Sequence, residues 1–211
     1  MTKNDTPRAN RVKYGLKNLY YAVAEVNEMD NTATYGKPVR WPGAVSLSMP
    51  PQGGETKFFA DDGIYFSATA NNGYSGDLEC ALVPDSFRKD VQGEITDANG
   101  VDVDDTNAVQ KPFALLFEFQ GDQHARRHVL YNCTAGRPEV SSKTKGETIE
   151  PQTEKVSVTA APIHCAGLQK DISKATAGPG SSAFADWYKA VYQPVAMTES
   201  TDPGTTDTAE E

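Results

Sequence analysis

The run from Asn71 to Gly93, NNGYSGDLECALVPDSFRKDVQG, strings a turn, an alternating strand, a capped helix and a glycine stop together without a break. Asn72-Gly73 is a strong turn signal, and in the extended stretch after it Leu78, Cys80 and Leu82 share one face while Asp77 and Glu79 share the other. Pro84 ends that strand. Asp85 is placed to accept hydrogen bonds from the exposed amides of a short helix over about 85–93, and Phe87 with Val91, four residues apart, gives the helix one apolar face. Gly93 stops it. The segment reads as architecture, with no group set up for catalysis.

Between Tyr20 and Ala160 about eight short extended candidates alternate with Gly, Pro, Asn and Asp, and that one helix is their only interruption, which predicts a mainly β chain folded as a sandwich or barrel. The strands expected are Leu19 to Val26, Ala33 to Lys37, Gly43 to Met49, Phe113 to Phe119, Arg127 to Thr134 and Glu154 to Ala160. Phe113, Leu115, Phe117 and Phe119 share one face, with Ala114, Leu116 and Glu118 on the other, so this strand is apolar enough for the centre of a sheet. The turn around Gly121-Asp122 makes it a hairpin with the strand that follows.

Met49 to Gly63, MPPQGGETKFFADDG, reads as a long loop, with an aromatic pair, Phe58 and Phe59, ahead of an Asp61-Asp62-Gly63 turn. Two explanations stand side by side: an Ω-loop folded over the edge of its own core, or aromatics that dock on another subunit. Thr96 to Gln110 and Val140 to Pro151, the latter with Lys143 and Lys145, read as solvated polar loops. Ser173 to Ser182 reads as a small-residue linker. Ser182 then opens a C-terminal helix, about 182–192, in which Phe184, Trp187, Tyr188 and Val191 recur at three- and four-residue spacing. Such a helix normally buries its face on its own domain. The organisation expected is an arm over 1–11, a β domain over 12–168, linker and helix over 169–194, and a disordered acidic tail over 195–211.

The formal charge is −9, and the acidic residues beyond Pro194 (Glu199, Asp202, Asp207, Glu210, Glu211) leave −4 for the rest of the chain. That balance argues against a surface built to neutralise phosphates, and the small Arg126-Arg127-His128 patch reads as an ion-pairing site. No apolar run is long enough to cross a bilayer and MTKNDTPRAN lacks a signal peptide's apolar centre, so no membrane partner and synthesis in a cytoplasm are expected. Cys80, Cys133 and Cys165, an odd count without framework spacing, read as buried reduced thiols.

His124 and His128 with Cys133, and the pair His164-Cys165, are the groups nearest to a metal constellation. His124 falls in the hairpin turn and His128 in the next strand, so helical i, i+4 ligand geometry does not apply, and neither metal nor cofactor is expected. Asp61-Asp62 and Asp102 with Asp104-Asp105 lie in turns or polar loops where carboxylates stay hydrated, unlike a general acid. Nucleophile elbow, phosphate loop and zinc-protease helix are all missing from the sequence, and no enzyme is expected.

RVKYGLKNLYYAV (from Arg11), PVRWPGAVSLSM (from Pro38), the Asn71 to Gly93 segment, FALLFEFQGD and RHVLYNCTAGRP follow one another in an order that resembles the major tail protein of long, flexible-tailed phages of Gram-positive bacteria. The resemblance runs from about Arg11 to Ala160 and resumes at DWYKAVYQP. It implies a tail-tube β-sandwich whose copies join edge to edge into hexameric rings, stacked as a hollow conduit for DNA ejection. Tail initiator or tip, ruler and terminator proteins would be partners, the lumen would pass DNA without holding it, and the location would be the virion tail. It favours docking for the aromatic loop, with Pro50, Gln52, Phe58, Phe59, Asp61 and Asp62 in contacts between rings. Thr6 to Val12 would serve as an arm on a neighbour, and Trp187, Tyr188 and Tyr192 as packing residues of the C-terminal helix. The alternative is a carbohydrate- or receptor-binding β-sandwich with Trp41 and Tyr74 as stacking platforms. A third reading, a metal hydrolase on His124, His128 and Cys133, would require bound metal in the purified protein.

Overall fold

Alternating apolar residues separated by turn formers produce strands throughout the chain. A computed structural model describes residues 14–120, 125–144 and 151–197. The strands are β1 (Leu16–Asn27), β2 (Thr32–Tyr35), β3 (Val39–Arg40), β4 (Ala44–Ser48), β5 (Glu55–Ala60), β6 (Gly63–Thr69) and β7 (Tyr74–Cys80). After a short helical segment come β8 (Ile95–Thr96), β9 (Asp102–Val103), β10 (Phe113–Phe119), β11 (Arg127–Ala135), β12 (Glu154–Ala160), β13 (Ile163–Cys165), β14 (Lys170–Ile172) and β15 (Lys174–Ala177). Among the described residues the fold is mainly β with one short helix.

The main sheet runs β2-β1-β10-β11-β12-β7-β4, with β15 on β11 and β3 on β1. Two asparagines shape it. Asn18 (φ 51°) and Asn132 (φ 45°) take the left-handed conformation that asparagine tolerates better than most residues, and the ladders shift register beside them. Past the bend at Asn132, β11 exchanges partners: Arg127 to Leu130 pair with β15, and Cys133 to Ala135 pair with β12. The stretch from Val39 to Ser48 bonds to β1 at its start and to β7 at its end.

The alternation in β10 divides two cores. Phe113, Leu115 and Phe117 face a cluster with Leu19, Tyr21, Trp41, Leu78 and Val156, whereas Ala114 and Leu116 face another with Ala22, Val129, Tyr131 and Ile163. The helix, Asp85–Phe87 continued by a wider turn over Arg88–Gln92, inserts Phe87 and Val91 into the first core. Phe87 meets Tyr21 and Phe113 edge to face at 5.1 and 5.2 Å, a favourable arrangement of ring quadrupoles. Gly93 ends the helix at φ 81°. Arg88 holds it to β12 through Glu154 at 3.3 Å.

Several expectations change. Asp85 is not the cap: Pro84 occupies that position, its carbonyl accepts from the Phe87 and Arg88 amides, and Asp85 sits inside the first turn. Leu82 is 69% exposed because β7 ends at Cys80 and the alternation ends with it. Part of the expected linker, Lys174–Ala177, is strand β15, filling the β11 edge that the bend leaves free. No second helix forms over 182–192. Consecutive tight turns replace it, with bonds from the amides of Phe184, Trp187 and Lys189 to the carbonyls of Ser181, Phe184 and Asp186, a three-residue step that still buries Trp187 and Val191. The arm over Thr6 to Val12, the turn at Gly121-Asp122, His124, Lys145 and the acidic tail from Glu199 lie outside the described residues.

Candidate docking surface

The stretch read as a long loop is a β-hairpin. Asp61 and Asp62 both take positive φ, 50° and 58°, which is the two-residue turn whose twist suits paired strands, and it closes β5 on β6 at Ala60 and Gly63. The hairpin continues β4 and β7 beyond a kinked root. There the Gln52 amide donates to the Gly73 carbonyl and the Asn72 amide to the Gln52 carbonyl, both at 2.8 Å, and the Pro50 carbonyl accepts from the Ser75 amide at 3.1 Å. Gly53 is required at this point, since a Cβ on it would lie 1.9 Å from the Ala70 carbonyl oxygen. Proline at 50 and 51 removes two amide donors and so limits continuation of the β4 ladder.

Polar contacts sit toward the root: Lys57 pairs with Glu55 at 3.1 Å, and Ser67 donates to the same carboxylate at 3.2 Å. Toward the tip the cross-strand partners are Phe58 with Phe66 and Phe59 with Ile64, and Tyr65 meets Phe58 edge on at 6.5 Å. These five large side chains are each 56–76% exposed. A two-stranded ribbon is only marginally stable in water by itself, and an apolar one presents the kind of surface that partners cover. Phe58, Phe59, Asp61 and Asp62 therefore share one projecting tip, whereas Pro50 and Gln52 lie at its root. Sequence reading missed Ile64, Tyr65 and Phe66. The signal was there in the Asp-Asp-Gly turn flanked by apolar residues on both sides.

Trp187, Tyr188 and Tyr192 sit elsewhere, on the face of the sheet opposite the helix. The Trp187 indole N–H donates to the His128 carbonyl at 3.4 Å, and the Tyr192 carbonyl accepts from the Tyr131 hydroxyl at 2.7 Å. Tyr188 stacks on Tyr20 at 4.7 Å and donates to Glu118 at 3.0 Å. Glu118 also accepts from Asn18 at 2.8 Å, pairs with Lys17 at 3.1 Å, and accepts from Arg127 Nε at 3.1 Å. The Arg127 guanidinium lies 3.9 Å above the Phe184 ring and also donates to the Phe184 carbonyl. Burial raises the Glu118 carboxyl, but the bonds from Lys17, Tyr188 and Asn18 outweigh it and hold the carboxyl below the usual glutamate range. Burial, reinforced by the Glu118 charge, pushes the Tyr188 hydroxyl well up.

The proposed stacking platforms do not converge. Trp41 is 1% exposed, packed on Phe87 at 4.3 Å, and so presents no face to a sugar, while the Tyr74 ring lies under Lys174 at 5.0 Å. His128 stacks on Phe117 and contacts Thr176, Cys133 is buried in the first core, and His164 faces Asp171. Among the described residues no three His, Cys, Asp or Glu side chains are grouped to hold a metal ion. Compared with known proteins, the chain matches no family model and no curated sequence.

Proposed function

We propose that this chain is a non-catalytic structural subunit that polymerises, as its resemblance to phage tail-tube proteins implies: β-sandwich copies joined into hexameric rings, stacked into a tube that conducts DNA. One observation carries the reading, the projecting hairpin whose five large apolar side chains are each more than half exposed. An apolar projection used to join one copy to the next is a heterologous contact, which repeats along an axis instead of closing on itself. A strand edge that no described strand pairs, as on the far side of β15, would be paired by a neighbour within a ring, which removes an aggregation hazard and completes a barrel. A formal charge of −4 on the chain up to Pro194 suits a conduit that repels phosphate, so that DNA passes without adhering. Initiator, ruler and terminator proteins would set where the polymer starts and stops, in a virion tail assembled in the host cytoplasm.

The direct test is electron microscopy of the purified protein over a concentration series, with light scattering on the same samples. Hollow rings or tubes are expected. A protein that stays monomeric throughout, even with tail-tip initiator added, would rule the proposal out.

A further inference from the structure

We infer that Asn99 is a self-modifying residue: the turn from Asp97 to Val101 converts its amide to aspartate and isoaspartate through attack by the Gly100 nitrogen, with the Asp97 carboxylate carrying the proton. The reaction needs no second copy, so it is independent of the assembly proposed above. The main-chain nitrogen of the next residue can close a five-membered ring on an asparagine Cγ, and glycine, with no side chain in the way, lets it do so most freely. The sequence holds two such pairs, Asn72-Gly73 and Asn99-Gly100.

The fold treats them differently. Gly73 is buried, and a Cβ there would lie 2.0 Å from the Ala160 carbonyl oxygen, so its backbone has no room to turn. Its amide donates to Asn71 Oδ1 at 3.2 Å, and the Asn72 amide donates to the Gln52 carbonyl at 2.8 Å. Residues 96–101 are exposed, by contrast, and a Cβ on Gly100 would meet nothing within 4 Å. The strands that hold this turn, β8 and β9, share only the pairs Ile95 with Val103 and Thr96 with Asp102.

Asp97 touches both ends of the reaction. Its Oδ1 accepts from the Asn99 and Val101 amides, each at 2.8 Å, and its Oδ2 accepts from Asn99 Nδ2, the leaving nitrogen, at 3.2 Å. The Gly100 amide closes the turn on the Asp97 carbonyl at 3.1 Å and also faces the carboxylate. The Val101 amide first, then the Asn99 amide and side chain and the Gly100 amide, hold this carboxyl below the usual aspartate range against desolvation, so at neutral pH it is ionised and able to accept a proton. In the step, the carboxylate takes the Gly100 N–H proton while the nitrogen bonds to Cγ. The Cγ–Nδ2 bond then breaks, and Nδ2 leaves as ammonia with that proton. One water opens the resulting succinimide. Entry at Cγ gives aspartate, and entry at the main-chain carbonyl gives isoaspartate, with one methylene more in the backbone. Either product sets a second negative charge beside Asp97 and removes the Asn99 to Asp97 bond. The turn then opens, while Lys89 with Asp102 and Arg137 with Asp104, both at 2.9 Å, hold its base.

The test incubates the full chain, wild type and Asp97→Ser, in mildly alkaline buffer with and without urea. Peptide mass spectrometry follows each asparagine, and an isoaspartyl methyltransferase assay follows isoaspartate. Serine keeps an oxygen for the turn amides and lacks the carboxylate. In folded wild type Asn99 should convert at least about tenfold faster than Asn72 and faster than Asn99 in urea, and Asp97→Ser should slow it about tenfold. In urea both asparagines, and both proteins, should react alike. If Asn99 in folded wild type is no faster than Asn72, or no faster than in urea, or if Asp97→Ser converts as fast as wild type, the assignment is overturned.

Discussion

Glu118 joins β1, β11 and the C-terminal segment to β10, through Lys17 and Asn18, Arg127, and Tyr188 in turn. Glutamine in its place keeps the shape and removes the charge that balances Arg127, whose side chain is largely buried. Glu118→Gln should lower stability by about 2–3 kcal/mol, less than a fully buried pair because Lys17 reaches water. The denaturant midpoint measures this, and an unchanged midpoint would show the cluster to be ornamental. The folded-state value of the Glu118 carboxyl lies below its unfolded value, so its stabilisation is complete above the ordinary glutamate pKa of about 4.3 and is lost as pH falls through the folded value. In acid, hydrogen exchange over residues 184–192 should accelerate before exchange in β10. The Glu118→Gln variant should lack that acid-sensitive step, and identical acid profiles would refute the assignment.

The elements depend on close backbone approach as much as on side chains. A Cβ on Gly76 would lie 1.9 Å from the Ser48 carbonyl oxygen and 3.0 Å from Pro50 Cδ, so Gly76→Ala should force β4 from β7 and cost about 1–3 kcal/mol. Thermal unfolding checks this, and a midpoint equal to wild type would mean that the strands adjust freely. Clear patterns made some elements legible in sequence: β12 has the limits expected because every second residue is apolar, and β10 because six of its seven residues are apolar. Other elements lacked such a signal. β15, Lys-Ala-Thr-Ala, has no large apolar side chain and exists because the bend at Asn132 leaves a backbone edge to satisfy. In the C-terminal segment, three-residue turns and an α-helix bury the same Trp187 and Val191, so spacing could not distinguish them. The hairpin tip was half legible, since Phe58 and Phe59 stood out while Ile64 to Phe66 merged with the next turn.

At the scale of the whole molecule, body and hairpin are separable. Gly54 and Ala70 are already joined by a 3.0 Å backbone bond, so a tight two-residue turn can replace residues 55–69. The shortened chain should unfold at the wild-type midpoint, within about 0.5 kcal/mol, because it loses no buried core. It should fail to assemble at any concentration. Calorimetry beside light scattering separates these outcomes, and tubes from the shortened chain would contradict the role given to the hairpin. The β1–β10 ladder has a temporal consequence as well, since Lys17 finds its partner strand at Glu118. On a ribosome adding about 5–20 residues each second, the ribbon Glu55–Thr69 can pair locally within microseconds, yet Glu118 follows Thr69 only after roughly 3–10 s. The apolar ribbon, marginal by itself, thus emerges before the body that aims it exists, so under the proposed assembly nascent chains crowded on one message would be able to capture one another too early.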